Sequence, residues 1–92
     1  MQPIILRAED PAEAAPLPKN GTDYKLDELR AIVGGTIECV WPGDGTIIVL
    51  HGEGKLVGLP LNQAATMAAK IGIAFDDYIV GDVLHCPVDM VK

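Results

Sequence analysis

The chain has no serine, which removes the commonest hydroxyl nucleophile and with it the Ser-His-Asp arrangement of many hydrolases. Basic residues are scarce: 7 Lys and Arg stand against 13 Asp and Glu, a formal charge of -6. The long-range field therefore repels phosphate backbones, and non-specific nucleic-acid binding is not expected. Long apolar runs are missing too. Segments such as Thr46 to Leu50 fall far short of the ~20 residues that cross a bilayer, and Met1-Gln2-Pro3 does not open like a signal peptide. A soluble cytoplasmic protein with no membrane partner is expected. Cysteine is limited to Cys39 and Cys86, both in strand-like stretches, which read as small core hydrophobes of a reducing compartment. With His51 and His85 they make a set of conceivable zinc ligands. No Cys-x-x-Cys pair exists, however, and the adjacent His85 and Cys86 would leave a strand on opposite faces, so neither a metal nor a cofactor is expected.

What is present is a chain of 92 residues, 49% of them hydrophobic, enough for one domain around one core. Pro3 to Arg7 reads as a short opening strand. Residues 8–22 turn to alanine, proline and acid, and Pro11, Pro16 and Pro18 argue against a helix or a ladder there, so a loop or insert is expected. Leu26, Leu29, Ile32 and Val33 recur at helical spacing, with Asp27 and Glu28 in the first turn and Gly34-Gly35 as a stop. Ile37, Cys39 and Trp41 then alternate as in a strand, Pro42 to Gly45 turns, and Thr46 to Leu50 returns as a hairpin partner. Lys55 to Val57 reads as a brief extended piece. A second helix is expected from Leu61, with Leu61, Ala64, Ala68 and Ile71 inward and Gln63, Thr66 and Lys70 outward. A loop with Asp76-Asp77 and a last strand from Ile79 to Cys86 complete a β-α-β-β-α-β order. That order predicts an α+β domain of ferredoxin-like type, an antiparallel sheet with both helices on one face.

Isolated polar residues on apolar elements are the candidate ligand or partner contacts. Glu38 interrupts a strand; covered by other elements it would need a cation such as Lys55 or a ligand donor, and uncovered it is an ordinary solvated side chain. Asn62 stands where a helix N-cap belongs, and the same helix start, with Lys55 and Thr66 near in sequence, could offer amides to an anion. Asp82 breaks the last strand, and Glu53 sits in a glycine-flanked turn. Gly34, Gly35, Gly54 and Gly58 would let backbone approach a ligand, although no P-loop is present. Neither a nucleophile paired with a base nor facing carboxylates can be found, so no catalytic residue is assigned and an enzyme is not expected.

Taken together, Val33-Gly34-Gly35, Ile37-Glu38, Glu53-Gly54-Lys55-Leu56, Gly58 to Asn62 and Val80 to Val83 resemble a family of uncharacterised small domains encoded by bacteriophages, plasmids and conjugative elements. The likeness spans roughly Tyr24 to Leu84. Such carriers imply, by analogy alone, an accessory protein that binds and neutralises a host protein. Contact regions for that role would be the acidic 8–20 segment and the Asp76-Asp77 loop. A second reading is an oligomeric protein sequestering a small nucleotide-like ligand, its site completed by another subunit because so short a chain has little room for a pocket. A third is a structural or regulatory subunit of an element-encoded complex. Trp41 separates these readings, being either core or an exposed anchor.

Overall fold

The structure, a computed structural model, describes residues 1–91. Strand β1 (Ile4–Leu6) and the two-residue β2 (Glu13–Ala14) precede helix α1 (Leu26–Val33). The β3 (Ile37–Val40) and β4 (Thr46–His51) hairpin follows, then helix α2 (Gln63–Ala68), β5 (Val83–Pro87) and a 3₁₀ turn at Val88–Met90. The class is α+β with an antiparallel sheet and two helices, as the order of elements predicts.

Local chemistry accounts for the boundaries. Glu28 reaches back to accept the Lys25 amide (2.6 Å) and the Lys19 amide (2.8 Å), closing the start of α1. Gly34 ends the helix at φ +88°, in the left-handed region where a side chain is disfavoured, and its amide donates to the Arg30 carbonyl (2.8 Å). Between Pro11 and Pro16 the chain does form a ladder, contrary to the expected loop: Ile4 pairs with Ala14 and Ile5 with Glu13. Two proline-free residues at a sheet edge need no proline amide, which is why this short rung survives.

The sheet runs β2-β1-β5-β4-β3 with every pair antiparallel. Its last strand is inserted between β1 and β4, whereas a ferredoxin-like sheet sets the first strand there. The helices also depart from expectation, lying on opposite faces. Leu29 and Val33 of α1 pack with Ile5, Ile47, Val49, Leu84 and Cys86. Ala65 and Ala69, in and just after α2, pack with Leu6, Ile48, Leu50, Ile79 and Val83. Successive β4 residues thus enter different cores, and Ile47 to Leu50 are all buried. An uninterrupted apolar strand needs cover on both sides, and that requirement divides the helices between the two faces.

Two further expectations change. Residues 52–58 form consecutive turns rather than an extended piece at Lys55 to Val57. The buried positions are Ala65 in α2 and Ala69 just after it, while Leu61 and Ile71 are exposed, because Asn62 turns inward and rotates the register. The final strand begins at Val83, later than Ile79; Val80 makes only an isolated bridge to Leu61.

Candidate functional site

On the α2 side of the sheet, Glu38 stands on the face that carries Val40 and Leu50, and the loops 52–58 and 72–80 rise around it. They enclose an open hollow of about 230 Å³. Its wall includes Glu38, Glu53, Gly54, Lys55, Asp77 and Tyr78. The Glu53 amide donates to His51 Nδ1 (3.0 Å), and Thr36 Oγ1 donates to the Glu53 carboxylate (3.4 Å). Lys55 is ion-paired with Asp77 and lies 4.2 Å above the Tyr78 ring, joining the two loops through charge and cation–π attraction. The hydrogen bond to Asp77 raises the Lys55 pKa, and Lys55 in turn lowers that of Asp77. Three carboxylates against one lysine leave the lining acidic.

Of the sequence candidates, Glu38, Glu53, Lys55 and Gly54 therefore meet at one place. Asn62, Thr66 and Asp82 do not join them, because their polar atoms are engaged within the fold. Fully buried Asn62 accepts the Ala65 amide at Oδ1 (3.0 Å), capping α2, while its Nδ2 donates to the Leu6 and Gly81 carbonyls, both at 2.8 Å. Thr66 Oγ1 accepts the Ile79 amide (2.8 Å) and donates to the Asn62 carbonyl (2.8 Å). Asp82 accepts the Ala8 amide (2.9 Å) and pairs with Arg7 (2.7 Å), which also pairs with Glu13. This polar seam draws the start of β5 against the end of β1 and explains the inserted last strand.

The candidate glycines serve packing as well. A Cβ on Gly35 would lie 2.4 Å from His51 Nε2, and one on Gly54 would lie 2.8 Å from Val80. Gly34 and Gly58 hold positive φ. Both thiols are free, with Cys86 in the core and Cys39 packed against it. Burial pushes the Cys86 pKa up to about 11 and also raises that of Cys39, so neither is a ready nucleophile. Among the described residues no group of three or more His, Cys, Asp or Glu side chains gathers as a metal site.

For Asp82, burial raises the pKa but is outweighed by the Ala8 amide and the Arg7 guanidinium, so the folded value lies below 3.8. The resulting stability is present above the unfolded pKa and is lost as pH falls through the folded one. Urea titrations between pH 6 and about 2.5 should show this loss, and Asp82→Asn should flatten that acid limb.

A set of exposed apolar side chains was not signalled by residue type or spacing. Met67 in α2 is 73% exposed, Ile71 beyond its end 87% and Phe75 99%, while Leu56 in the wall of the hollow is 84% exposed. Reading α2 on to Ile71 with that residue inward concealed them. Its turn instead ends at Gly72, which donates to the Ala69 carbonyl (2.7 Å).

A two-sided antiparallel sheet with an open, acidic hollow on its α2 face defines a small α+β domain. The chain belongs to a family described as a domain of unknown function, DUF3846, whose family model matches residues 1–90. No curated protein and no solved structure matches it.

Proposed function

We propose that this protein is a non-catalytic accessory protein, of the kind carried by phages and mobile elements, which binds and neutralises a protein in the host cytoplasm. The observation that carries this reading is the exposure of Met67, Ile71 and Phe75 on the stretch from α2 to the Asp76-Asp77 loop, with Leu56 exposed in the wall of the hollow that this loop borders. A chain this small needs its large apolar residues for its core, so leaving them in water is costly unless a partner covers them. Aromatic and Met side chains ringed by charge are the composition of protein interfaces. The Asp76-Asp77 loop expected to make contact is the loop that bears Phe75 and Tyr78. Sequestration of a nucleotide-like signal fits less well: Glu38, Glu53 and Asp77 oppose phosphate, and Asn62 and Thr66 are already engaged.

Native mass spectra of the protein, alone and after incubation with host small-molecule and protein fractions, test the reading. A stoichiometric polypeptide should be retained by the wild type and lost at least ~100-fold in affinity from the Ile71→Asp/Phe75→Asp double variant, with its melting curve unchanged. Retention of a compound of a few hundred daltons in place of a polypeptide would sink it.

A further inference from the structure

The two edges of the sheet are treated very differently. At β2 the edge is two residues long, flanked by Pro11 and Pro16, and carries Glu13 in its ion pair with Arg7, all devices that discourage further strand pairing. At β3 the edge has no proline, no lysine and no bulge, and a single charge, Glu38. Gly52 donates to the Thr36 carbonyl (2.8 Å), and Glu38 pairs with Leu50 and Val40 with Ile48. By the alternation of an antiparallel ladder, Thr36, Glu38 and Val40 turn their backbone groups toward β4, and Ile37 and Cys39 turn theirs outward.

Beside that open edge, on the α1 face, runs a groove of about 280 Å³ whose lining includes Leu26, Leu29, Ile37, Cys39 and Trp41 and contains no charged residue. Trp41, just beyond β3, is 58% exposed.

We infer that β3 pairs antiparallel with β3 of a second copy of this chain, joining two five-stranded sheets into one continuous sheet across a two-fold axis at Cys39. Several observations favour a second copy over a foreign strand. Pairing like edges consumes both open edges at once and leaves the assembly ending on two β2 edges, each already blunted, so association stops at the dimer. A foreign strand would leave its own far edge open. Charge selects the register: an axis at Glu38 would set that carboxylate opposite its own twin, whereas an axis at Cys39 sets it opposite Val40 of the second copy. The same register places the exposed indole of Trp41 opposite Ile37, an aromatic to β-branched cross-strand pair beside the uncharged groove. The paired edge adjoins the hollow, whose wall includes Glu38 and Val40, but the pairing does not use the exposed Leu56, Met67, Ile71 and Phe75 on which the proposed partner surface rests.

The register makes a chemical test available. Residues opposite one another in a hydrogen-bonded antiparallel pair have Cα atoms about 5.5 Å apart, within the span of a disulfide. Diamide, which takes up the two thiol hydrogens, should therefore link Cys39 to Cys39 of the second copy. The expected result is a dimer by sedimentation equilibrium under reducing conditions, and a covalent dimer on a non-reducing gel after diamide for the wild type and for Cys86→Ala. Cys39→Ala should still sediment as a dimer but form no covalent link. Trp41→Lys, at an exposed site where folding is not at stake, should weaken the dimer by roughly 100-fold. A wild-type monomer at the concentrations of an NMR sample overturns the inference, and so does a dimer that Trp41→Lys leaves intact or that Cys39 fails to link.

Discussion

Replacing Asn62 by Ala is expected to cost roughly 3 kcal/mol, about 1 from the lost helix cap and the rest from buried Leu6 and Gly81 carbonyls stripped of their donor. In a domain of this size that lowers the melting temperature by roughly 15 °C. Asn62→Asp is the more telling variant. As a cap alone, Asp is as good as Asn, and the variant would melt near the wild type. In the seam, a buried carboxylate would face two carbonyl oxygens with no proton to give them, so Asn62→Asp is expected to be at least as unstable as Asn62→Ala. Thermal melts by circular dichroism decide the matter, and an Asp variant with wild-type stability would reduce Asn62 to a cap.

The second large effect concerns the neighbours Ile47 and Ile48. Both are almost fully buried, yet Ile47 packs with Leu29 and Val33 of α1 and Ile48 with Ala65 and Ala69 beside α2. Each Ala substitution should cost about 2–5 kcal/mol, the usual range for emptying a core isoleucine. With both helices on one face, one of the two side chains would point to water and its truncation would change stability by less than about 0.5 kcal/mol. Urea unfolding of Ile47→Ala and Ile48→Ala therefore measures directly whether the sheet is covered on both sides. Because the two side chains enter separate cores, their costs should also nearly add in the double variant.

Much of the architecture could be read from residues whose signals are local. Leu26 to Val33 followed by Gly34-Gly35 gave α1 with its end points, and the alternation of Ile37 and Cys39 before a glycine-rich turn gave the β3–β4 hairpin. The division of the helices was written in the sequence in another form: Ile47-Ile48-Val49-Leu50 does not alternate, and a strand apolar on both faces asks for two covers. Strand order was less accessible. It follows from Asn62 reaching Leu6 across 56 positions and Asp82 reaching Arg7 across 75, contacts that no periodicity announces. At the candidate site, Glu38, Glu53 and Lys55 converge because β3 and the turns after β4 are neighbours. Asn62, Thr66 and Asp82 attracted notice for the right reason, being polar on apolar elements, but their partners are backbone groups of this chain. The exposed apolar set was hidden by a helix that stops earlier than its pattern suggests: Ala69 and Gly72 close the turn, and Ile71 swings outward.

The position of β5 sets the order in which this molecule becomes itself. It follows the other four strands along the chain, yet it lies between β1 and β4 and bonds to both. Until residues 83–87 have left the ribosome, β1 has no central neighbour, and α2, at six residues, is too short to persist alone. The hairpin and α1 can form early; the sheet cannot close until β5 is available. A chain cut before Val83 would therefore lose the strand that joins its two halves, leaving no smaller native protein but an unfinished one, a ready substrate for proteases.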